Sequence, residues 1–247
     1  MCTTVAKLLD KGWYLAKTRD PVSWMRWDDE IKLFNSPDDK YKKLIIQNPD
    51  EHEDGFYGGI NEKGVAIIAT YVHIDENQVS YIRRPYLRLI LDVATAKEAV
   101  KIIESFFPRI GGNMFVADKT ECYGIEGAPE KYFVEKVSRA MVKTNHFIHL
   151  PYKNLSLKDK YFSDWTIKRY ERASELLGSV KSSKGLMTLL RDTKNKKNKV
   201  PICATSNERE CFTNSAMIFD TKNVRVFYAQ GNPLEVPFKE YDFNSAS

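Results

Sequence analysis

The 247-residue sequence holds four cysteines, and no two of them form a C-x-x-C pair. Its four histidines make no H-E-x-x-H, and His146 and His149 fall in a predicted loop. Neither set has the spacing of a zinc site, so no metal and no cofactor is expected. There is no apolar run of membrane-spanning length and no secretory leader, which points to a soluble cytoplasmic protein with reduced thiols and no membrane partner. A basic stripe interleaved with aromatics is also missing. The net charge is only +5, with acids scattered among the bases, which argues against nucleic acid as a partner. The densest basic run, 194–199, is broken by Asn195 and Asn198 and reads as a solvated loop before Pro201. No repeat or low-complexity linker divides the chain. With 43% hydrophobic residues it can bury one substantial core, so a single domain over 1–247 is expected.

What is present is concentrated in the first twenty residues. Two strands rich in Val, Leu, Thr, Trp and Tyr flank Asp10-Lys11-Gly12, which reads as a three-residue hairpin loop with Gly at a positive-φ position. With Leu9 facing Trp13, Cys2 falls opposite Asp20 and Thr3 opposite Arg19. Cys is small enough for Met1 to be removed, which would give Cys2 a free α-amine. That amine has a reference pKa of about 7.7–8.0 and the thiol one of about 8.5, so near neutrality the amine can serve as base to its own thiol. The same residue also fits a small half-buried strand position. Arg19 and Asp20 across the hairpin are common company for a reactive thiol, and equally fit a cross-strand ion pair.

Further along, strands are predicted over 40–47 and on both sides of a turn at Asn61-Glu62-Lys63-Gly64, the second being nearly all apolar through Val72. Trp24, Trp27 and the acids 28–30 read as a loop. A helix is predicted over 87–107, with Thr95 as N-cap, Glu98 closing a capping box, and 87–93 as a shorter helix before it. Pro108 and Gly111-Gly112 end it. Strands over 113–117, 131–137 and 140–143 lead to Thr144-Asn145. A second helix over 156–177, a short one over 185–190 and a hairpin of 213–219 with 224–228 complete an α+β pattern.

Set in order, these pieces resemble the N-terminal-nucleophile (Ntn) hydrolases of the penicillin acyltransferase-like family, relatives of choloylglycine hydrolases and penicillin V acylases. Cys2-Thr3 stands at the nucleophile, and Arg19-Asp20 at the end of the second strand, though choloylglycine hydrolases space that pair differently. Gly59-Ile60-Asn61-Glu62-Lys63-Gly64-Val65, Thr144-Asn145, Arg169-Tyr170-Glu171-Arg172-Ala173 and Tyr228-Ala229-Gln230-Gly231-Asn232-Pro233 match family segments in the family's order.

The resemblance implies a four-layer αββα sandwich of two stacked antiparallel sheets. It also implies attack by the Cys2 sulfur on a linear amide or thioester carbonyl, then capture of the acyl group by water or an amine. In that scheme Asp20 holds the α-amine, Arg19 favours the thiolate and orients Cys2 and Asp20, and Asn145 donates to the oxyanion. A second oxyanion donor comes from Tyr71 or Val72, and Arg169 completes the charged cluster. Asn145 equally fits a turn residue, and Arg169 with Arg172 a solvated helix face. Only Met1 precedes Cys2, so trimming without self-cleavage into two chains is expected. The implied partner is a small acyl-amide substrate, with an acyl thioester donor and homo-oligomerisation left open. Two other readings stand beside this one: an inert binding or scaffold protein on the same fold, and a cysteine peptidase pairing Cys203 or Cys211 with His146.

Overall fold

The computed structural model describes residues 2–21, 29–49, 56–75, 78–80, 84–106, 111–128, 131–151, 160–194, 200–205 and 212–244. Alternation along the strands decides what each face touches. In β1 (Thr4–Leu9) and β2 (Gly12–Arg19), Ala6, Trp13 and Leu15 point to one side and Val5, Tyr14 and Ala16 to the other. Both sides are buried, so any polar side chain on β2 must find its partners indoors.

One sheet has six strands in the order β12 (Ala140–Lys143), β1, β2, β13 (Ser215–Asp220), β14 (Arg225–Ala229) and β15 (Lys239–Tyr241). The other has seven: β11 (Tyr132–Lys136), β10 (Cys122–Gly127), β9 (Gly112–Ala117), β6 (Ala66–Thr70), β5 (Phe56–Asn61), β4 (Lys43–Gln47) and β3 (Glu30–Phe34). Every neighbouring pair is antiparallel. A small ribbon, β7 (Val72–Asp75) with β8 (Gln78–Ser80), follows directly on β6.

Three apolar cores separate four layers. Leu15, Leu44, Ile68, Phe115 and Phe219 fill the space between the sheets. Helices α1 (Arg84–Ile90) and α2 (Ala96–Phe106) lay Leu87, Ile90, Val100 and Ile103 on the outer face of the larger sheet. Helices α3 (Lys160–Leu177) and α4 (Ser183–Leu190) cover the smaller sheet with Ala173, Leu177, Leu186 and Leu190. The α+β, αββα architecture expected from the resemblance is the one observed. The capping box forms as predicted: Glu98 N donates to Thr95 Oγ1 at 3.2 Å and Thr95 N to Glu98 Oε2 at 3.1 Å. Among the described residues no helix is long and apolar enough to cross a membrane.

The first hairpin differs from its reading. Leu9 pairs with Gly12 and Thr4 with Lys17, so the loop is the two residues Asp10 and Lys11, both at positive φ (48° and 62°). Gly12 is ordinary strand; it lacks a side chain because a Cβ there would lie 2.5 Å from Lys222 Cβ. The register slips by one, and Cys2 comes level with Arg19 instead of Asp20. Strands β3, β8, β10 and β15 were also absent from the sequence reading, and the strand read through Val72 breaks at Tyr71 into β6 and β7. In β10 the low strand propensity of Cys-Tyr-Gly-Ile-Glu-Gly hides a strand. A Cβ on Gly124 would meet Met141 Sδ at 2.9 Å. Residues 22–28, with Trp24 and Trp27, and residues 156–159 of the second predicted helix lie outside the described residues.

Candidate active site

The start of the chain is pinned from the neighbouring strands. Thr4 Oγ1 donates to Lys143 O at 2.8 Å, and Thr3 N donates to Thr18 Oγ1 at 3.2 Å. Cys2, 6% exposed, is thereby held at one end of the space between the sheets. Its main-chain nitrogen donates to Asn145 Oδ1 at 2.6 Å. Met1 lies outside the described residues.

Asn145 is fixed from every side. Its Nδ2 donates to Thr70 Oγ1 at 2.7 Å and to Tyr71 O at 2.8 Å, while its own N–H donates to Thr166 Oγ1 at 2.9 Å. These partners decide the amide orientation, since Tyr71 O can only accept and Cys2 N can only donate. The surrounding loop is clamped in turn. Asn113 Nδ2 donates to Thr144 O and His146 O at 2.7 and 2.8 Å. The buried Glu126 carboxylate accepts from the backbone of Ile148, His149 and Leu150 and from Lys143 Nζ at 2.9 Å. Burial raises that carboxyl, but Lys143 and the backbone donors outweigh it and hold the group below its ordinary value. Burial also takes the His146 imidazole, 3.0 Å from both Thr144 Oγ1 and Thr166 Oγ1, down to about 4.

The charged groups form two buried pairs. Arg169, from α3, is paired with Asp20, donates its Nε to Pro201 O at 2.8 Å, and stacks its guanidinium 5.0 Å from the Trp165 ring. Arg172, three residues on, turns instead to Asp192 at 2.8 Å. Arg19 meets Asp29 at 3.0 Å and donates to Tyr57 OH at 2.8 Å, with its guanidinium 4.1 Å from the Tyr57 ring. Asp29 also accepts from Ser215 Oγ. Between these pairs lies Lys17, 2% exposed, donating to Ala69 O at 2.5 Å and Tyr57 O at 3.3 Å. Burial pushes the Cys2 thiol up. The Lys17 charge first, then the Asp20 N–H, bring it below its ordinary value against the opposing Asp20 carboxylate.

The structure therefore brings Cys2, Asn145, Asp20, Arg169 and Arg19 to one end of the stacked sheets, with Tyr71 half-buried and Val72 buried beside Asn145. Sequence reasoning missed Lys17, Asp29, Asn113, Glu126 and Thr166, and read Tyr57 only as a candidate for an acyl pocket or the core. Only Lys17 carried a signal, standing two positions before Arg19 and so on the same strand face. Cys203 makes a poor nucleophile. Its Sγ donates to Asn232 Oδ1 at 3.3 Å, and burial raises its thiol to about 11. Cys211 is outside the described residues. No three His, Cys, Asp or Glu side chains among the described residues converge as a metal ion needs.

Comparison with known proteins bears on the fold and the family. Penicillin V acylase from Agrobacterium tumefaciens superposes with a TM-score of 0.63 at 16% identity, over 99% of this chain and 86% of that one. A cysteine-to-alanine mutant of conjugated bile acid hydrolase from Clostridium perfringens gives 0.57 at 12% identity, over 100% and 94% of the two chains. An arginine-to-leucine variant of that hydrolase gives 0.54 at 14% identity, over 99% and 98%. Likenesses at such identity speak for the fold. No curated protein matches in sequence. The family profile of acyl-coenzyme A:6-aminopenicillanic acid acyl-transferase does match, over residues 9–235. Profile and fold together make this chain a member of the acyl-coenzyme A:6-aminopenicillanic acid acyl-transferase family of Ntn hydrolases.

Proposed function

We propose that the chain is a cysteine Ntn enzyme that cleaves a linear amide, or transfers its acyl group, through an acyl-Cys2 intermediate. The observation that carries this reading is the 2.6 Å hydrogen bond from Cys2 N to Asn145 Oδ1. It pins the one atom that becomes the α-amine once Met1 is removed. That amine takes the thiol proton, and the sulfur adds to the substrate carbonyl carbon. As the C–N bond breaks, the α-ammonium returns the proton to the leaving amine. Water or an acceptor amine then adds to the thioester, gives its proton to the α-amine, and releases the thiolate.

Asp20, held by Arg169, and Arg19, held by Asp29, supply the charged frame. The oxyanion is met by Asn145 Nδ2, which exchanges its Thr70 or Tyr71 partner for the substrate oxygen, together with a donor at Tyr71 or Val72. The substrate is a small acyl amide, with an acyl thioester as the other donor the chemistry accepts.

The test is a panel of penicillin V, a conjugated bile acid, and an acyl-coenzyme A with 6-aminopenicillanic acid. Turnover of a panel member, lost in Cys2→Ala, with an acyl adduct on the Cys2 peptide at short times, is the expected result. Turnover that survives Cys2→Ala would sink the proposal.

A further inference from the structure

The charges around Cys2 do not cancel evenly. Arg169 has Asp20 and Arg19 has Asp29, each cation against its own carboxylate. Lys17 is placed differently. Its ammonium reaches across to two main-chain carbonyls of the facing sheet, and among the described residues no carboxylate lies within ion-pair distance of it. A buried ammonium without an anion is costly, because desolvation favours loss of the proton. Two of its three N–H groups are spent on Ala69 O and Tyr57 O, leaving a third.

The register supplies the anion. Thr4 faces Lys17, so Cys2 falls level with Arg19, and residues opposite each other in an antiparallel pair share a face. Cys2 and Lys17 thus lie on the same face of the β1–β2 ribbon, the one turned to the facing sheet. Lys17 acts on the Cys2 thiol more strongly than any other charge does. Cys2 in turn acts on Lys17, whose own value burial lowers, more strongly than Arg19, Asp29 or Asp20. Tyr57, above which the Lys17 ammonium sits 5.5 Å from the ring centroid, is pushed up to about 12, chiefly by burial, and stays neutral.

We propose that Lys17 is the counter-cation of the Cys2 thiolate, a positioning residue that keeps the sulfur ionised before substrate arrives. This rests on the nucleophilic role of Cys2 argued above. The balance is one proton: it leaves the thiol for the α-amine, or for water where that amine is blocked, while Lys17 is an ammonium throughout, with no redox change. On attack the negative charge moves to the carbonyl oxygen while Lys17 stays protonated, and release of the acyl group restores the pair. The pairing works whether or not Met1 has been removed, so it does not depend on the α-amine.

The experiment follows the iodoacetamide alkylation rate of the Cys2 peptide by mass spectrometry against pH, in the full chain. Lys17→Met should raise the apparent pKa of Cys2 by about one unit or more, a roughly tenfold loss of rate near neutrality. Lys17→Arg should keep most of the rate. A wild-type pH profile in folded Lys17→Met, with only a lower Tm, would overturn the proposal and leave Lys17 a brace between the sheets. If Lys17→Met does not fold, lysine labelled with carbon-13 at Cε reads the same coupling in the unaltered chain, because linkage is reciprocal. The Lys17 resonance, assigned with Lys17→Arg, should titrate at lower pH once Cys2 is alkylated; an unmoved titration would overturn the proposal. Neither readout uses a substrate. Turnover surviving in Cys2→Ala would therefore remove the nucleophile and leave this pairing standing.

Discussion

Asp20 and Arg169 make each other's burial tolerable. Their side chains are 0% and 1% exposed, and removing either alone leaves a buried charge without its partner. Breaking such a pair from one side costs about 3–5 kcal/mol, whereas removing both charges costs far less. Arg169→Met should therefore lower the urea midpoint sharply, and Asp20→Asn with Arg169→Met should recover a large part of the loss. Equal losses in single and double variants would mean that the pair contributes packing alone. The cysteines test the site from another side. With Cys203 raised to about 11 by burial and Cys2 held below its usual value, mild alkylation of the folded chain should label Cys2 well before Cys203. Peptide mapping that found Cys203 labelled first would contradict this electrostatic picture. At this scale the sequence was legible where chemistry is local. Cys2, Asp20 and Asn145 could be named from position and motif, but Asn113 and Glu126, which clamp the loop that carries Asn145, come from distant strands and are ordinary residues until folded.

Elements were read by periodicity, and most were found because an apolar face recurs at a regular step. The α2 boundary was readable to the residue, since Thr95 and Glu98 bond each other locally. The first turn was misread because Asp10 and Lys11 adopt positive φ without glycine, a conformation the sequence does not advertise. That strain is open to measurement. Replacing Lys11 by Gly should raise stability by about 1 kcal/mol in urea denaturation, since the left-handed region costs a side chain about that much. A destabilised Lys11→Gly would mean that the Lys11 side chain makes up for its backbone. Strand β10 escaped because its two glycines and Glu126 serve needs outside the strand itself. Gly124 makes room for Met141, and Glu126 holds the backbone that follows Asn145.

For the molecule as a whole, the order of layers places every charged residue of the site at one end of the stack, and acid should loosen that end first. Glu126 is depressed below 4.5 in the fold, so the stability it adds is present above that value and is lost as pH falls through the folded one. His146 is lowered from 6.5 to about 4, so between those values the unfolded chain takes up the proton first. Its contribution is whole above pH 6.5 and declines as pH falls toward 4. Urea midpoints should fall across that window, and His146→Gln should flatten the decline. A midpoint independent of pH there would show His146 to be far more open to water than the structure has it. The αββα plan was legible through the resemblance that the motifs carry, and a solved structure at 16% identity shares that fold. The charge balance inside the stack was not, because it depends on which carboxylate each cation finds.

The central claim is that Cys2 acts through its own α-amine, held at Asn145. The most direct measurement is the intact mass of purified, catalytically active protein. The account predicts a chain lighter by one methionine, with Cys2 first and no second cleavage. An active chain that still carries Met1 would contradict it.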